Sequence, residues 1–352
     1  MFNPEYKLTN KIVNFLTTIA EAKAVIERAK LLPKQELRLR RQALISMVHA
    51  STKIEGNILN IHQVEAIVQH KKIDAPARDI YEVENYLKAL RYISKIVESK
   101  KIITEKVVLR IHKLVTSKTL LEEQSGHYRL RPVYVVRRKL GMPDEIIYTA
   151  ANAKEVQSLV RDLVAWIQET EKKDVHPIIV AGITHQQFAA IHPFSDGNGR
   201  TARALASLIL YQRGYDFRRL FALEDYYNKD RSQYYKYINV GKNYKERRTD
   251  FTPWLGYFVK GFKEEIDNVK AKVISLSHRK ISDGVDSQVF LDKDQLKIID
   301  FLELVGKITV QDVMDILECP KRTGQLYLQK LKKLKMITQI GKGPSSAYVL
   351  AK

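Results

Sequence analysis

The sequence from His192 to Arg203 reads HPFSDGNGRTAR and lies between two helical patterns. Apolar residues from Pro177 to Ala190 recur at the spacing of one buried helix face, and a second helical pattern runs from Gly199 to Leu210. Gly197-Asn198-Gly199 therefore opens a helix. Glycines at a helix start let backbone N–H groups converge on an anion, and the helix dipole favours negative charge there. The segment predicts an anion-binding loop between two helices.

Four side chains in this loop have the chemistry of a phosphate-transfer site. Arg200 and Arg203 are three residues apart, so they share a helix face and can each donate paired hydrogen bonds to phosphate. Asp196 is a hard oxygen ligand that suits Mg²⁺ shared with a substrate phosphate. His192 can remove a proton near neutral pH. Taken singly, each has a structural alternative: a loop histidine, a helix cap or a surface ion pair. Their occurrence together within twelve residues favours the site.

Most of the remaining chain also has helical periodicity, which predicts an all-α fold. One stretch differs, because the β-branched and aromatic runs Val133–Val136 and Ile146–Thr149 flank Arg137–Glu145 and predict a β-hairpin. Such a hairpin is either a flap over a site or a surface decoration. The other predicted helices cover Asn10–Lys30, Gln35–Glu55, Asp79–Glu98, Glu105–Lys118, 151–170 and Phe251–Ser275.

The C-terminal part of the sequence predicts a separate small domain. Ser282–Gln288 is small and polar, as expected of a linker. Three short helices and a two-stranded ribbon after it, over residues 285–352, resemble a winged-helix domain. The predicted elements are helices Lys293–Leu304, Thr309–Leu317 and Lys321–Leu334, and strands Met336–Ile340 and Ala347–Leu350 around the turn Gly341–Pro344.

Composition restricts the class of protein and its partners. The chain has 352 residues and a net charge of +20, which favours acidic partners such as nucleotides or nucleic acid, or else a lysine-rich solvated surface. Cys319 is the only cysteine, so an internal disulfide is excluded and a reducing compartment is indicated. The sequence has no apolar run of membrane-spanning length and starts without a signal-peptide pattern. We therefore expect a cytoplasmic protein with no membrane partner.

The loop resembles the signature of the Fic family, His-Pro-Phe-x-Asp/Glu-Gly-Asn-Gly-Arg-x-x-Arg, at every position. The resemblance extends over roughly 35–265 and includes Gly126–Arg129 before the hairpin and Arg231–Tyr235 after the loop. It implies an all-α, Fic-type helical bundle with a β-hairpin flap. It also implies the transfer of AMP from Mg·ATP to a Ser, Thr or Tyr hydroxyl of a protein.

The resemblance implies a role for each loop residue. His192 would deprotonate the target hydroxyl, and Asp196 would hold Mg²⁺ between the α- and β-phosphates. Phe194 would be a buried anchor. The hairpin would hold the target segment by strand addition, through the main chain around Val135, Val136, Ile147 and Tyr148. The nucleotide would be contacted by Gly197, Asn198, Gly199, Arg200, Thr201, Ala202 and Arg203, with Tyr235 and its neighbour Tyr234 nearby unless these tyrosines belong to the core.

A second motif, STKIEGN from Ser51 to Asn57, resembles the inhibitory motif of the family, Ser/Thr-x-x-x-Glu-Gly/Asn. Ser51 and Glu55 share a helix face, and Gly56 is suited to ending that helix. The motif implies that Glu55 lies at the nucleotide site and pairs with Arg203, in competition with the γ-phosphate. Two alternatives remain: a surface glutamate before a helix-ending glycine, or a residue that orients water to remove AMP from a modified target.

We expect three regions: residues 1–110 with the inhibitory helix ending near 57, a catalytic core over 111–280 with its flap at 133–149, and the winged-helix-like domain at 285–352. The sequence does not name the target protein, and it leaves self-modification and a homodimer open. A DNA-binding regulator is the alternative from another functional class. A metal site that uses His185 and His192 is disfavoured, because residues seven apart on a helix are too distant for one ion. The DNA alternative depends on the cations of the last helix, Lys321, Arg322, Lys330, Lys332 and Lys333.

Overall fold

The computed structural model describes residues 2–137, 145–277, 291–341 and 346–351. These residues form fourteen α-helices and two antiparallel strand pairs, which confirms the predicted helical fold class. The helices of the main body are α1 (Asn10–Arg28), α2 (Pro33–Ile54), α3 (Ile61–Val68), α4 (Ala77–Glu98), α5 (Glu105–Val115), α6 (Val156–Lys172), α7 (Pro177–Ile191), α8 (Asn198–Gln212), α9 (Leu223–Lys229), α10 (Arg231–Ile238) and α11 (Thr252–Ser277).

Helix α7 lies at the centre of the body. Thirteen of its fifteen residues are buried, among them polar Thr184, His185, Gln186 and Gln187, so the helix is covered on every side and not only on the one face that its sequence pattern predicts. It packs against α6, α8 and α11, so the loop at its C-terminal end is held on several sides. One hydrophobic core runs from Ile12 to Val273, and the N-terminal helices therefore share their core with the helices around the loop.

The helix starts follow the local sequence signals. Thr9, Asn60 and Thr104 accept a hydrogen bond from a backbone N–H of the first turn, and Pro177 occupies the first turn of α7. The sequence patterns missed α3, α9 and α10, because helices of seven or eight residues make only about two turns and show little periodicity. The equally short helix Val310–Leu317 was predicted, and it starts with a capping box at Thr309. None of the described helices is long and apolar enough to cross a bilayer.

The predicted hairpin consists of β1 (Tyr134–Arg137) and β2 (Glu145–Thr149), with an irregularity between Val135 and Val136. The backbone of Thr149 also bonds to the segment beside α10, from its N–H to Lys242 and from Tyr244 to its carbonyl. The hairpin is thereby fixed to the body at its base. Residues 138–144 of the predicted loop lie outside the described residues.

The C-terminal elements are α12 (Lys293–Val305), α13 (Val310–Leu317), α14 (Lys321–Lys333), β3 (Ile337–Ile340) and β4 (Ala347–Leu350). They follow the predicted order and have their own apolar core. Ile308 pairs with Tyr348, which adds a short third segment to the ribbon. The predicted linker Ser282–Gln288 and residues 342–344 of the predicted turn lie outside the described residues. Arg40 of α2 forms an ion pair with Asp300 of α12.

Candidate active site

His192 is the C-terminal cap of α7 and has left-handed backbone angles (φ 52°, ψ 60°). Its Nδ1 lies 3.2 Å from the Ala189 carbonyl oxygen, so the geometry assigns the Nδ1 proton to that hydrogen bond. The Nε2 lone pair is left to accept a proton. Burial lowers the pKa of His192, so the imidazole is neutral at pH 7. This is the protonation state that a general base requires.

Asn198 fixes the shape of the loop. Its side-chain oxygen accepts from the Phe194 N–H at 2.9 Å, and its side-chain nitrogen donates to the Phe194 carbonyl at 2.9 Å. The Phe194 side chain is fully buried, as predicted for an anchor. Because the Asn198 amide is occupied by the loop itself, only its backbone N–H is free to meet a phosphate.

His112 of α5 supports the same loop, and the sequence reasoning missed it. Its Nδ1 accepts from the Gly126 N–H at 2.9 Å, so Nε2 carries the proton and donates to the Asp196 carbonyl at 3.0 Å. The ring stacks on Phe194 with centroids 3.6 Å apart. Burial lowers the pKa of His112 to about 4. A histidine on the apolar face of a helix is a signal that could have revealed it, because a buried ring needs partners.

Arg129 ties the loop to its surroundings through backbone carbonyls. Its Nε donates to the carbonyl of His192 at 2.7 Å, and its Nη2 donates to the carbonyls of Ala151 and Ile191. Its own N–H donates to the Pro193 carbonyl at 3.1 Å. The sequence shows this residue next to the hairpin, but only the structure gives it a partner. Together with His112 and Asn198, it holds the His192 backbone in place.

The first amides of α8 make no capping hydrogen bond to a described side chain. Gly197 precedes the helix at φ 75°. Arg200 points into the same region and is 2% exposed. Its Nη1 lies 3.3 Å from Glu82, but within the described residues neither Nε nor Nη1 makes a hydrogen bond. A buried guanidinium with unsatisfied donors is suited to bind phosphate.

Asp196 is the residue that could hold a divalent cation. Its carboxylate is 39% exposed and lies 3.3 Å from Arg78 and 3.8 Å from Arg200. Among the described residues no group of three or more His, Cys, Asp or Glu side chains could hold an ion. A Mg²⁺ ion would therefore take most of its ligands from substrate phosphates and water, which is usual for this ion. The donor set fits a metal that arrives with a nucleotide.

Arg203 joins the two sequence motifs. Its Nε donates to the Ser51 hydroxyl at 2.9 Å, and its Nη2 donates to the Ser51 carbonyl and to the Glu55 carboxylate, both at 2.8 Å. The guanidinium is fully buried, whereas the Glu55 side chain is 29% exposed. Burial is the largest influence on the pKa of Arg203 and works to lower it, but the charge and hydrogen bond of Glu55, together with Tyr234 and Tyr86, outweigh it and the pKa is raised. Glu55 is thus paired with Arg203, as the motif predicts.

The Glu55 carboxylate also covers the start of α8. A Cβ atom at Gly199 would lie 2.1 Å from its Oε1, so only glycine permits this approach. Glu55 is the C-cap of α2 and precedes Gly56, whose φ is 97°. The carboxylate therefore lies beside Arg203 and against the helix N-terminus that could bind phosphate.

The remaining residues predicted to contact the nucleotide lie partly in the core and partly beside Glu55. Thr201 and Ala202 face the core, and the Thr201 hydroxyl and N–H both donate to the Gly197 carbonyl, so the structure does not bring these two side chains to the site. Tyr235 donates to the Ile54 carbonyl at 2.9 Å, beside Glu55. Tyr234 is buried, with its hydroxyl 3.5 Å from Arg203 and 3.1 Å from His185 Nε2.

The flap residues divide into two groups. Val135, Val136 and Ile147 are half-buried, so parts of their side chains and the strand edge remain accessible. Tyr148 is buried and donates from its hydroxyl to the Ala190 carbonyl at 2.8 Å. This hydrogen bond attaches the flap to α7 at Ala190, two residues before His192. Any contact of Tyr148 with a target would therefore use its main chain.

The sequence is similar to one protein family and to several characterised proteins. Residues 102–210 match the model of the Fic/DOC family. The chain is 27% identical over 253 residues to a protein adenylyltransferase Fic of Nematostella vectensis, a match that covers 70% of this chain and 54% of that protein. It is 30% identical over 183 residues to protein adenylyltransferase fic-1 of Caenorhabditis elegans, with 51% and 34% covered.

One solved structure agrees in fold along nearly the whole chain. The crystal structure of a Fic family protein from Desulfovibrio desulfuricans G20 has a TM-score of 0.64 and 25% identity, and the match covers 99% of this chain and 98% of that one. The chain spans only about a third to a half of the length of the two curated relatives.

Proposed function

The chain belongs to the Fic family, and we propose that it is a protein adenylyltransferase. The reaction would transfer AMP from ATP to a Ser, Thr or Tyr hydroxyl of a target protein or of the enzyme itself. The single observation that carries the proposal is the loop between α7 and α8, where a neutral base lies beside a helix N-terminus and an arginine with unsatisfied donors.

His192 is the residue that moves the proton. Its Nε2 would accept the proton of the target hydroxyl while the hydroxyl oxygen forms a bond to the α-phosphorus. The bond from that phosphorus to the oxygen bridging to the β-phosphorus breaks, and pyrophosphate leaves. The carbonyl of Ala189 holds the Nδ1 proton and keeps the ring in the required tautomer.

The phosphates would bind at the start of α8. The N–H groups of Asn198 and Gly199 are available there, as is the guanidinium of Arg200, which is ion-paired with Glu82 but whose Nε and Nη1 make no hydrogen bond within the described residues. Asp196 would hold Mg²⁺ against the phosphates, and the bound ion would supply charge neutralisation. His112 and Asn198 keep this part of the backbone in one conformation.

We further propose that the pair of Glu55 and Arg203 inhibits the enzyme. Arg203 would otherwise bind the γ-phosphate, and the Glu55 carboxylate occupies both the guanidinium and the space over Gly199. An anion already in place excludes another one from the same donors. ATP would bind weakly or in an unproductive position until Glu55 leaves.

The transfer activity is tested by mass spectrometry of the full chain after incubation with each Mg·NTP. We expect addition of AMP with ATP, on the protein itself or on an added target, and no addition in the His192→Ala variant. Addition of a different nucleotide would identify that nucleoside triphosphate, and not ATP, as the substrate. No addition to any target, even in the Glu55→Gly variant, would contradict the proposal.

The inhibitory pair is tested by nucleotide affinity. Glu55→Gly should bind ATP more tightly than the wild type, whereas the affinity for AMP should change less, because AMP lacks the γ-phosphate that Arg203 would bind. Equal changes for ATP and AMP would show that Glu55 does not compete at the γ-phosphate.

A second activity is favoured by the partial exposure of Glu55. Its carboxylate is 29% accessible and close enough to His192 to act on that ring electrostatically. It could orient a water molecule that removes AMP from a modified protein. Release of AMP from a modified target by the wild type, and its loss in Glu55→Gly, would support this activity. Equal release by both proteins would exclude it.

A further inference from the structure

A second concave site lies between α3 and α4, away from His192. The groove has a volume of about 480 Å³, which is within the range of small-molecule sites. Its floor is aliphatic and its rim is cationic. The floor is formed by Ile67, Ile73, Ile80 and Leu87, and the rim by His70 and the cations Lys71, Lys72, Lys88 and Arg91, with Glu84 as the one acid among the described lining residues.

Helix α4 separates this groove from the active site. Ile80, Glu84 and Arg91 lie on one stripe of the helix at the spacing of successive turns. Arg78 and Glu82 lie on the opposite stripe, where they contact Asp196 and Arg200. The two sites therefore use different faces of the same helix and share no side chain.

The charge of the groove is not balanced within the described residues. Lys88 lies 3.8 Å from Glu84, which is the only acid among the described residues that line the groove. Arg91 is half-buried, and its Nε makes no hydrogen bond in the described part of the chain. Burial lowers the pKa of Arg91, as expected of a desolvated cation without a carboxylate partner. A desolvated guanidinium of this kind is stabilised when an anion binds.

We propose that the groove between α3 and α4 binds an organic phosphate, with the phosphate on Arg91 and the neighbouring lysines and the apolar body on the aliphatic floor. Inorganic phosphate alone would not use the floor, and a purely apolar ligand would leave Arg91 desolvated and unpaired. Nucleotides and alkyl phosphates both have the required chemistry. The proposal is independent of the transfer reaction, because no catalytic residue lines the groove.

Isothermal titration calorimetry on the full chain tests the site with three probes: AMP, octyl phosphate and inorganic phosphate. The variant Arg91→Met removes the charge and keeps a similar apolar stem. Lys95→Met is the matched control, since Lys95 is an exposed cation of α4 that does not line the groove. The active site also binds AMP under the proposed function, so only the part of AMP binding that Arg91→Met removes identifies a nucleotide as the ligand of the groove. Octyl phosphate binding that Arg91→Met removes identifies a lipid-like ligand.

We expect AMP or octyl phosphate to bind the wild type, and Arg91→Met to weaken that binding by about tenfold or more, the effect of losing a hydrogen bond to a charged group. Lys95→Met should change it by less than about twofold, and inorganic phosphate should bind more weakly. Equal affinity of the wild type and Arg91→Met for both organic probes would overturn the proposal. So would an equal loss in Lys95→Met, or inorganic phosphate binding as tightly as the organic probes.

The melting temperature without ligand separates a binding role from a structural one. If Arg91 is a ligand-binding residue whose charge is uncompensated in the free protein, Arg91→Met removes that charge. The variant should then melt at the same temperature as the wild type or at a higher one. A clear decrease would assign Arg91 to the fold and contradict the site. The failure of this site would leave AMP transfer by His192 unchanged, so the two proposals fail separately.

Discussion

The loop His192–Arg203 and the segment Ser51–Asn57 meet at Arg203, but they are held in different ways. The loop is fixed by buried partners, with His112 on the Asp196 carbonyl, Arg129 on the His192 carbonyl and Asn198 on Phe194. Glu55 is at the end of a helix and partly exposed, and its carboxylate contacts one guanidinium. The loop is therefore preorganised, whereas the glutamate can leave without unfolding the body.

This difference has an energetic basis. Removing Glu55 leaves a buried, unpaired Arg203, which is costly unless another anion takes its place. A nucleotide phosphate is such an anion. In the proposed mechanism a phosphate would therefore replace Glu55 at a fixed guanidinium, which also donates to the Ser51 hydroxyl. The comparison predicts large losses from changes in the loop and a gain from a change in Glu55.

The largest effect is expected for His192→Ala. Loss of a positioned general base should lower the rate of AMP transfer by about 10²–10⁴-fold, while ATP affinity changes little. Labelling with radioactive ATP and a separate binding titration would measure the two quantities. His62→Ala, an exposed histidine of α3, is the control. Substantial transfer by His192→Ala would remove His192 as the base.

A smaller loss is expected for Asn198→Ala. Without the two bonds to Phe194 the loop can shift, and a displacement of about 1 Å at a reacting group can cost about 100-fold. Single-turnover transfer rates of the variant would be compared with its circular dichroism spectrum. If the folded variant transferred AMP at the wild-type rate, the loop would not need the two hydrogen bonds between Asn198 and Phe194.

Glu55→Gly should raise the rate of AMP transfer, whereas the two changes in the loop lower it. Release of Arg203 from a charge-assisted hydrogen bond of about 1.5–3 kcal/mol should raise self-modification by about ten- to a hundredfold. Arg203→Ala should not be activated, and the double variant should stay low. Glu122→Gly, an exposed loop residue, controls for the loss of a carboxylate. Labelling of Glu55→Gly at the wild-type level would reduce Glu55 to a helix-end residue.

The buried His112 ring also predicts a pH dependence of the free energy of unfolding. The pKa of His112 is about 4 in the folded chain and near 6.5 when unfolded, so below pH 6.5 the unfolded chain gains a proton that the folded chain does not. The free energy of unfolding should therefore fall by about 3 kcal/mol between pH 6.5 and 4. Denaturant titrations of wild type and His112→Asn would isolate this contribution. Parallel pH profiles for the two proteins would contradict it.

The smallest effect is expected from the C-terminal region. Its ion pair from Asp300 to Arg40 is partly exposed and contributes about 0–1 kcal/mol, so deletion of 285–352 should change self-modification by less than about fivefold. A gel shift of duplex DNA by the full chain, lost on deletion and weakened by salt, would favour the DNA-binding alternative. The exposed cations of α14 would be responsible. Equal DNA binding with and without the deletion would exclude it.

Much of the fold was predictable from local patterns. The long helices, the hairpin and the C-terminal elements follow from periodicity, caps and β-branched runs, which depend on neighbours in the sequence. The short helices α3, α9 and α10 were not predicted, because seven or eight residues show little periodicity. In the site, the motif supplied the residues with chemical roles, but Thr201 and Ala202 show that a position in a motif does not give a side chain its direction.

The sequence by itself determined which chemical groups are present: a histidine, a carboxylate, an open helix start and two arginines within one loop, with a second acidic motif upstream. Only the tertiary structure decided which of them meet. Glu55 and Arg203 are 148 residues apart, and His112 and Asp196 are 84 apart. Local propensity acts over a few residues along the chain, whereas these contacts exist because a shared hydrophobic core brings α2, α5 and α8 together.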